Sequence, residues 1–205
     1  MDQISSSKFI DKNLELEPFI ISTDQKLVYI LSPVDNFDFS FDIRVIKPSV
    51  STINFIVLAD ANKVVNCKIN TSIYTSNASL EVKSILFASE FSKISMEINS
   101  FVDKNTTNNF VSQSISGLLL TQTAKITGNP NLQINTLDVK AKHSLKIGAL
   151  DKEELFYLMS KGFSLLETKK IIIDSYLQEL LSFLSEKEKN YYLNFIVEKL
   201  FNYGY

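Results

Sequence analysis

Short runs in which apolar and polar residues alternate fill most of the chain before residue 150. Their centres fall near Tyr29, Ile43, Phe55, Ile69, Val82, Ile98, Ile115 and Ile134, and a period of two marks a strand covered on one side and wet on the other. Cys67, Ile69 and Ile73 face one way with Asn66, Lys68, Asn70 and Ser72 opposite. Ile94, Met96, Ile98 and Val102 repeat the arrangement against Ser95, Glu97 and Asn99. Successive centres lie 12 to 19 residues apart, a longer interval than tight hairpins give. Strands are expected to begin soon after Phe19.

Turn chemistry narrows the β architecture. No glycine precedes Gly117, and Asn-Gly and Asp-Gly pairs are absent, although two-residue hairpins lean on such pairs for positive φ. A meander of tight hairpins is therefore disfavoured. Asn54, Asn62, Asn66, Asn70, Asn77, Asn99, Asn105, Asn108 and Asn109 are read as residues near run ends, able to enter the left-handed region at broader turns between stacked coils. No strict repeat is present, so patterning alone leaves a sandwich and a solenoid both open.

The last strand pattern runs directly into helical patterning. Val139, Ala141, His143, Leu145 and Ile147 share one side, with Lys140, Lys142, Ser144 and Lys146 on the other, which describes a half-buried strand with a lysine-rich outer face. Gly148 ends the alternation. Asp151 stands three residues before Glu154, the spacing at which two side chains satisfy backbone donors at a helix start. Leu155, Phe156, Leu158 and Met159 give this short helix an apolar side, and Gly162 supplies a left-handed closing residue. The pairs Ser164 with Glu167 and Ser185 with Glu188 predict two further helices. In the middle one, Leu165, Leu166, Ile171, Ile172, Ile173, Tyr176, Leu177, Leu180, Leu181 and Leu184 occupy more than one face, beyond what a surface helix needs. Either both faces pack within this chain, or one docks into another protein.

Composition excludes more than it assigns. A net charge of −2 offers no basic stripe for nucleic acid. Cys67 is the only cysteine, which rules out an intrachain disulfide or a zinc site of several thiolates and suits a reducing cytosol; it is read as a small buried core residue. The stretch MDQISSSKFIDKN lacks a basic start and an apolar run, and no uncharged stretch is long enough to span a bilayer. The chain is expected to be soluble, unprocessed and cytoplasmic, with no membrane or nucleic-acid partner. No phosphate-binding Gly-rich loop is present. Asp35, Asp38 and Asp42 interleave with Phe37, Phe39 and Phe41, a solvated strand face rather than a calcium loop. His143, the only histidine, has no nucleophile nominated beside it. It reads either as an interior or contact-surface residue held by a hydrogen bond, or as a metal ligand.

An ordered series of short segments ends this part of the chain: Pro130, Leu132 and Ile134; Val139, Lys140 and His143; Ile147, Gly148, Leu150 and Asp151; then Phe156, Tyr157, Leu158, Ser160 and Gly162. That series resembles the carboxy-terminal part of the SufB/SufD scaffolds of iron-sulfur cluster assembly, nearer SufD because of the Gly148 step and the lack of a cysteine near the histidine strand. Gln133 and Lys161 depart from the family's glutamate and arginine. The resemblance implies a mainly β chain with a C-terminal α segment: a right-handed parallel β-helix over residues 1–148, then a small helical, ATPase-docking domain over 149–205. It implies a non-enzymatic scaffold that docks a SufC-type ABC ATPase through Leu155, Phe156, Tyr157, Leu158, Ser160, Lys161 and Gly162, and pairs with a SufB-like scaffold or forms a homodimer. His143 would be a candidate cluster ligand at that interface, with no cofactor bound stably by this chain alone and a transient iron-sulfur cluster in the complex. The alternative is a stand-alone β-solenoid binding a carbohydrate or protein partner, which would need exposed aromatic ladders on successive coils.

Overall fold

A computed structural model describes residues 4–12 and 16–201. Its strands are β1 (Ile4–Ile10), β2 (Phe19–Ile21), β3 (Gln25–Leu31), β4 (Phe37–Val45), β5 (Val50–Ala59), β6 (Val64–Ile73), β7 (Ser79–Ala88), β8 (Lys93–Val102), β9 (Asn109–Leu119), β10 (Lys125–Ile134) and β11 (Val139–Ala149). Three helices follow: α1 (Lys152–Ser160), α2 (Leu165–Leu180) and α3 (Glu186–Phe201). Odd-numbered strands form one sheet in the order β1-β3-β5-β7-β9-β11, and even-numbered strands a second in the order β10-β8-β6-β4-β2. Neighbours within each sheet are parallel, as in Ser51 beside Leu80 and Leu80 beside Val111. The chain thus alternates between two walls while advancing one coil at a time, a parallel β-solenoid, and the sandwich reading falls away.

The two walls explain two kinds of strand sequence. Even strands alternate strictly because only their inner side is covered: Phe37, Phe39, Phe41, Cys67, Ile69, Ile94 and Met96 are buried between the sheets, while Asp38, Ser40 and Lys68 face solvent. Strands β3, β5 and β7 are buried almost throughout. Their inner residues, such as Leu27, Tyr29, Phe55 and Leu80, join the lumen core, and their outer residues Val28, Ile30, Ile56, Leu58, Ile85 and Phe87 pack against Ile173, Leu177, Leu180, Leu181, Leu184 and Ile196 of the helical tail. Covering both faces turns an alternating strand into a nearly continuous apolar one. The tail therefore lies on the outer wall of the odd sheet, and Asn54 Nδ2 donates to the Leu180 carbonyl at 2.7 Å to tie them together.

Two details differ from the sequence reading. Strands begin at Ile4, before Phe19; β1 is serine-rich, pairs with β3, and is held to α3 by Ser7 to Tyr192 at 3.0 Å and by an edge-to-face contact of Phe9 with Phe195. Asn62, Asn77 and Asn108 do take positive φ at turns. Asn54, Asn70 and Asn99 instead lie within strands, and Asn66 near the start of β6 bonds to Asp38. Among the described residues, no helix is long and apolar enough to cross a membrane.

Candidate functional site

Two surfaces near the carboxy-terminal end combine unusual exposure with distinctive chemistry. The first is the last coil. Strand β10 is one edge of the even sheet and β11 one edge of the odd sheet, so each presents a row of backbone groups with no strand beyond it. Pro130, which lacks an N–H, is tolerated because β10 is such an edge.

His143 lies on β11 opposite Gln113 of β9, which lies opposite Val82 of β7. Val82 and Gln113 are buried, so His143 extends the lumen-facing column to the exposed end of the solenoid, where it is itself exposed. The alternation that grouped it with Val139, Ala141, Leu145 and Ile147 identified the correct side. That side is not covered by this chain: Leu145 is 47% exposed. Packing at this end is close, since a Cβ on Gly128 would stand 2.4 Å from Leu145 Cδ1 and 3.1 Å from Ile115 Cγ2.

Beneath the histidine lies a polar cluster that sequence reasoning missed. Gln113 Nε2 donates to Ser100 Oγ at 2.6 Å and to the Asn131 carbonyl at 2.9 Å, and Thr71 Oγ1 donates to the same Ser100 hydroxyl at 2.6 Å. Gln113 Oε1 is buried without a protein partner, an acceptor beside the position from which His143 projects. On the outer side of the even sheet, Asn131 donates to Asn99, Asn99 to Asn70, and Asn70 to Asp42, at 3.0, 3.0 and 2.8 Å. The signal for this ladder is the recurrence of asparagine one coil apart on strands in register, masked by reading Asn70 and Asn99 as turn residues.

The outer face of β11 is basic. Lys140, Lys142 and Lys146 are exposed, and their register partners on β9 are Phe110, Ser112 and Ser116. Lys142 reaches over the Phe110 ring at 5.4 Å to its centroid. Asp138, at the entrance to the strand, accepts the Asn108 N–H at 3.0 Å.

The second surface is α1. Asp151 caps it by accepting the Glu153 and Glu154 N–H groups, and Gly162 follows it at φ 99°; the spacing predicts this half of the cap and the closing glycine, whereas the returning Glu154 carboxylate is not part of the cap that forms. No residue of α1 is buried. Phe156 is 76% and Tyr157 60% exposed, with Met159, Phe163, Leu165, Leu166 and Ile171 also exposed around them, whereas Leu155 and Leu158 are half-buried. Ser160 Oγ donates to the Tyr157 carbonyl at 2.6 Å, and Lys161 Nζ lies 5.3 Å from the Tyr157 ring centroid. The two readings of the middle helix divide along its length. From Ile172 onward one face is buried on the solenoid; in its first turns Thr168 is buried, while Leu165, Leu166 and Ile171, with the aromatic residues of α1, stay exposed, a concentration of apolar side chains at the surface of the kind that marks interaction sites.

Other candidates resolve into structure. Cys67 is buried, and burial, with Asp38 adding a smaller contribution, pushes its thiol up to about 12. Asp38 and Asp42 accept from Asn66 and Asn70 on the solvent side. Phe37, Phe39 and Phe41 line the lumen, so this series supplies no exposed aromatic ladder. Among the described residues, no group of three or more His, Cys, Asp or Glu side chains could hold a metal ion.

Residues 43–176 match the family described as SUF system FeS cluster assembly, SufBD core domain. The iron-sulfur cluster assembly protein SufD of Escherichia coli is 32% identical over 72 residues, covering 35% of this chain and 17% of the relative. A SufBD family protein of Synechocystis is 36% identical over 64 residues, 31% of this chain and 14% of the relative, and SufD of Bacillus subtilis is 37% identical over 60 residues, 29% and 14%. The alignments span less than a fifth of the length of these curated relatives.

Proposed function

Since the chain belongs to the SufBD core-domain family of iron-sulfur cluster assembly proteins, on the SufD side of it, we propose that it is a non-enzymatic scaffold that docks a SufC-type ABC ATPase through α1. The observation that carries the reading is a capped helix with no buried residue whose aromatic side chains stand in solvent. An apolar helix face gains little from water and much from a partner's groove. Leu155 and Leu158 hold α1 in place, Phe156 and Tyr157 fill the partner's surface, and Lys161 braces Tyr157.

The solenoid's last coil is the second contact, with a SufB-like scaffold or a second copy. His143 faces it from the lumen side. A cluster is cargo here: one imidazole cannot hold it, so the remaining ligands come from the partner, and Gln113 is suited to fix one ring nitrogen while the other binds iron. ATP-driven pairing of two docked ATPase subunits would move paired scaffolds and reshape the surface around His143.

Co-expression with the ATPase, read by light-scattering mass, tests the docking. The expected result is a complex formed by the intact chain and by His143→Ala, lost in Phe156→Asp/Tyr157→Asp, with cluster formation impaired in His143→Ala despite intact assembly. Failure of the intact chain to bind would remove the docking reading; normal cluster formation by His143→Ala would remove the ligand role.

A further inference from the structure

Pairing at the last coil has two candidate partners, another copy or a different chain, and the charges on β11 discriminate between them. A two-fold axis that joins an edge strand to its own copy sets the strands antiparallel, with same-face residues opposite one another. Centred on His143, that pairing puts Lys140 against Lys146 of the copy, twice. Centred on Ala141 it pairs Lys140 with Lys142, and on Ser144 it pairs Lys142 with Lys146, again twice each. Centres on Lys140, Lys142 or Lys146 oppose each lysine with itself. Of the centres lying between Lys140 and Lys146, only Leu145 avoids direct opposition, and there Lys146 still meets its counterpart diagonally.

Among the described residues, no carboxylate is paired with this face. The adjacent strand offers Phe110, Ser112 and Ser116, and no ion pair found among the described residues includes Lys140, Lys142 or Lys146. Like charges directly opposite across strands are destabilising and opposite charges stabilising, and exposed edge lysines are a known guard against self-pairing.

We propose that the lysine face of β11 rejects a second copy of this chain and selects a partner whose own edge strand carries carboxylates opposite Lys140 and Lys146. The inference rests on the reading that the last coil is a pairing surface, and it adds the chemistry of the partner. The partner strand is acidic at alternate positions on its solvent side while its inner side meets His143 and Leu145.

The chain itself can supply the acidic probe. Lys140→Glu/Lys142→Glu/Lys146→Glu is made in a Phe156→Asp background, so that the exposed aromatic of α1 provides no second route to association, and is mixed with Phe156→Asp alone; circular dichroism checks that both fold. Light scattering should show each protein monomeric by itself and a 1:1 dimer in the mixture, tighter by about tenfold or more than either self-association. The dimer should weaken between about 0.05 and 0.5 M salt as screening shortens. Self-association of the lysine-bearing chain at low salt as strong as the mixed dimer would keep pairing but overturn charge selection. Absence of association in every sample would overturn the pairing reading and the selection with it.

Discussion

Cys67 and Tyr29 show what burial does to single ionisable side chains. Burial pushes Cys67 from 9.0 to about 12, assisted by Asp38, and Tyr29 from 10.0 to about 12. Both are neutral when protonated, and both are held protonated in the folded chain to higher pH than in the unfolded one. Stability from these groups is therefore fully present below about pH 9 and is lost as pH rises toward 12, because the unfolded state releases its protons first. Between pH 8 and 10.5 the combined loss is on the order of 2 kcal/mol. Urea midpoints measured at the two pH values should show that loss, and Cys67→Ala should show a clearly smaller one. An equal loss in the variant would mean that the thiol is not responsible. The same burial makes Cys67 a poor nucleophile, so thiol reagents should modify it only on unfolding.

At the scale of elements, α1 and α2 were read from the same kind of capping signature and depend on their surroundings differently. Ser164 accepts the Glu167 N–H and the Glu167 carboxylate accepts the Ser164 N–H, the reciprocal arrangement that the spacing predicts. Yet α2 owes its place to Ile173, Leu177 and Leu180 on the solenoid wall. Leu177→Ala should cost about 3 kcal/mol of global stability through the cavity it leaves. Asp151→Ala should cost about 1 kcal/mol, felt within α1 alone because no residue of that helix is fully buried. Hydrogen exchange should show α1 amides speeding up with the melting temperature unchanged, whereas a fall in melting temperature would show that α1 is part of the folding unit. Helix ends were legible because capping is local chemistry. The division of α2 between an inner face and an exposed start was not, since Leu166 and Leu177 look alike until the sheet is in place. The asparagines failed for a related reason: Asn77 at a turn and Asn99 in a ladder differ only in what the neighbouring coil brings beside them.

Across the whole molecule, long-range pairing decides what sequence periodicity leaves open. Alternation in β4, β6 and β8 disclosed the lumen side directly, and His143 was placed on that side from β11 alone. The near-continuous apolar runs of β3, β5 and β7 carried a second message, that something covers the outer wall of the odd sheet, and that cover is the tail of the same chain. Serine-rich β1 gave no periodic signal because its pairing with β3 and its contacts with α3 hold it in place. It follows that the helical tail is not separable from the solenoid by simple deletion. Removing residues 163–201 would uncover Val28, Ile30, Ile56, Leu58, Ile85 and Phe87 together, a contiguous apolar wall of the kind soluble chains seldom expose. The truncated chain should bind a hydrophobic dye strongly and appear as aggregate by light scattering, whereas Phe156→Asp/Tyr157→Asp should remain monodisperse. A soluble, dye-negative truncation would show that the tail adds little to the solenoid's stability. If it aggregates, loss of a partner on truncation says nothing about docking, and substitutions on α1 are the means of separating the helix that holds the fold from the helix that faces outward.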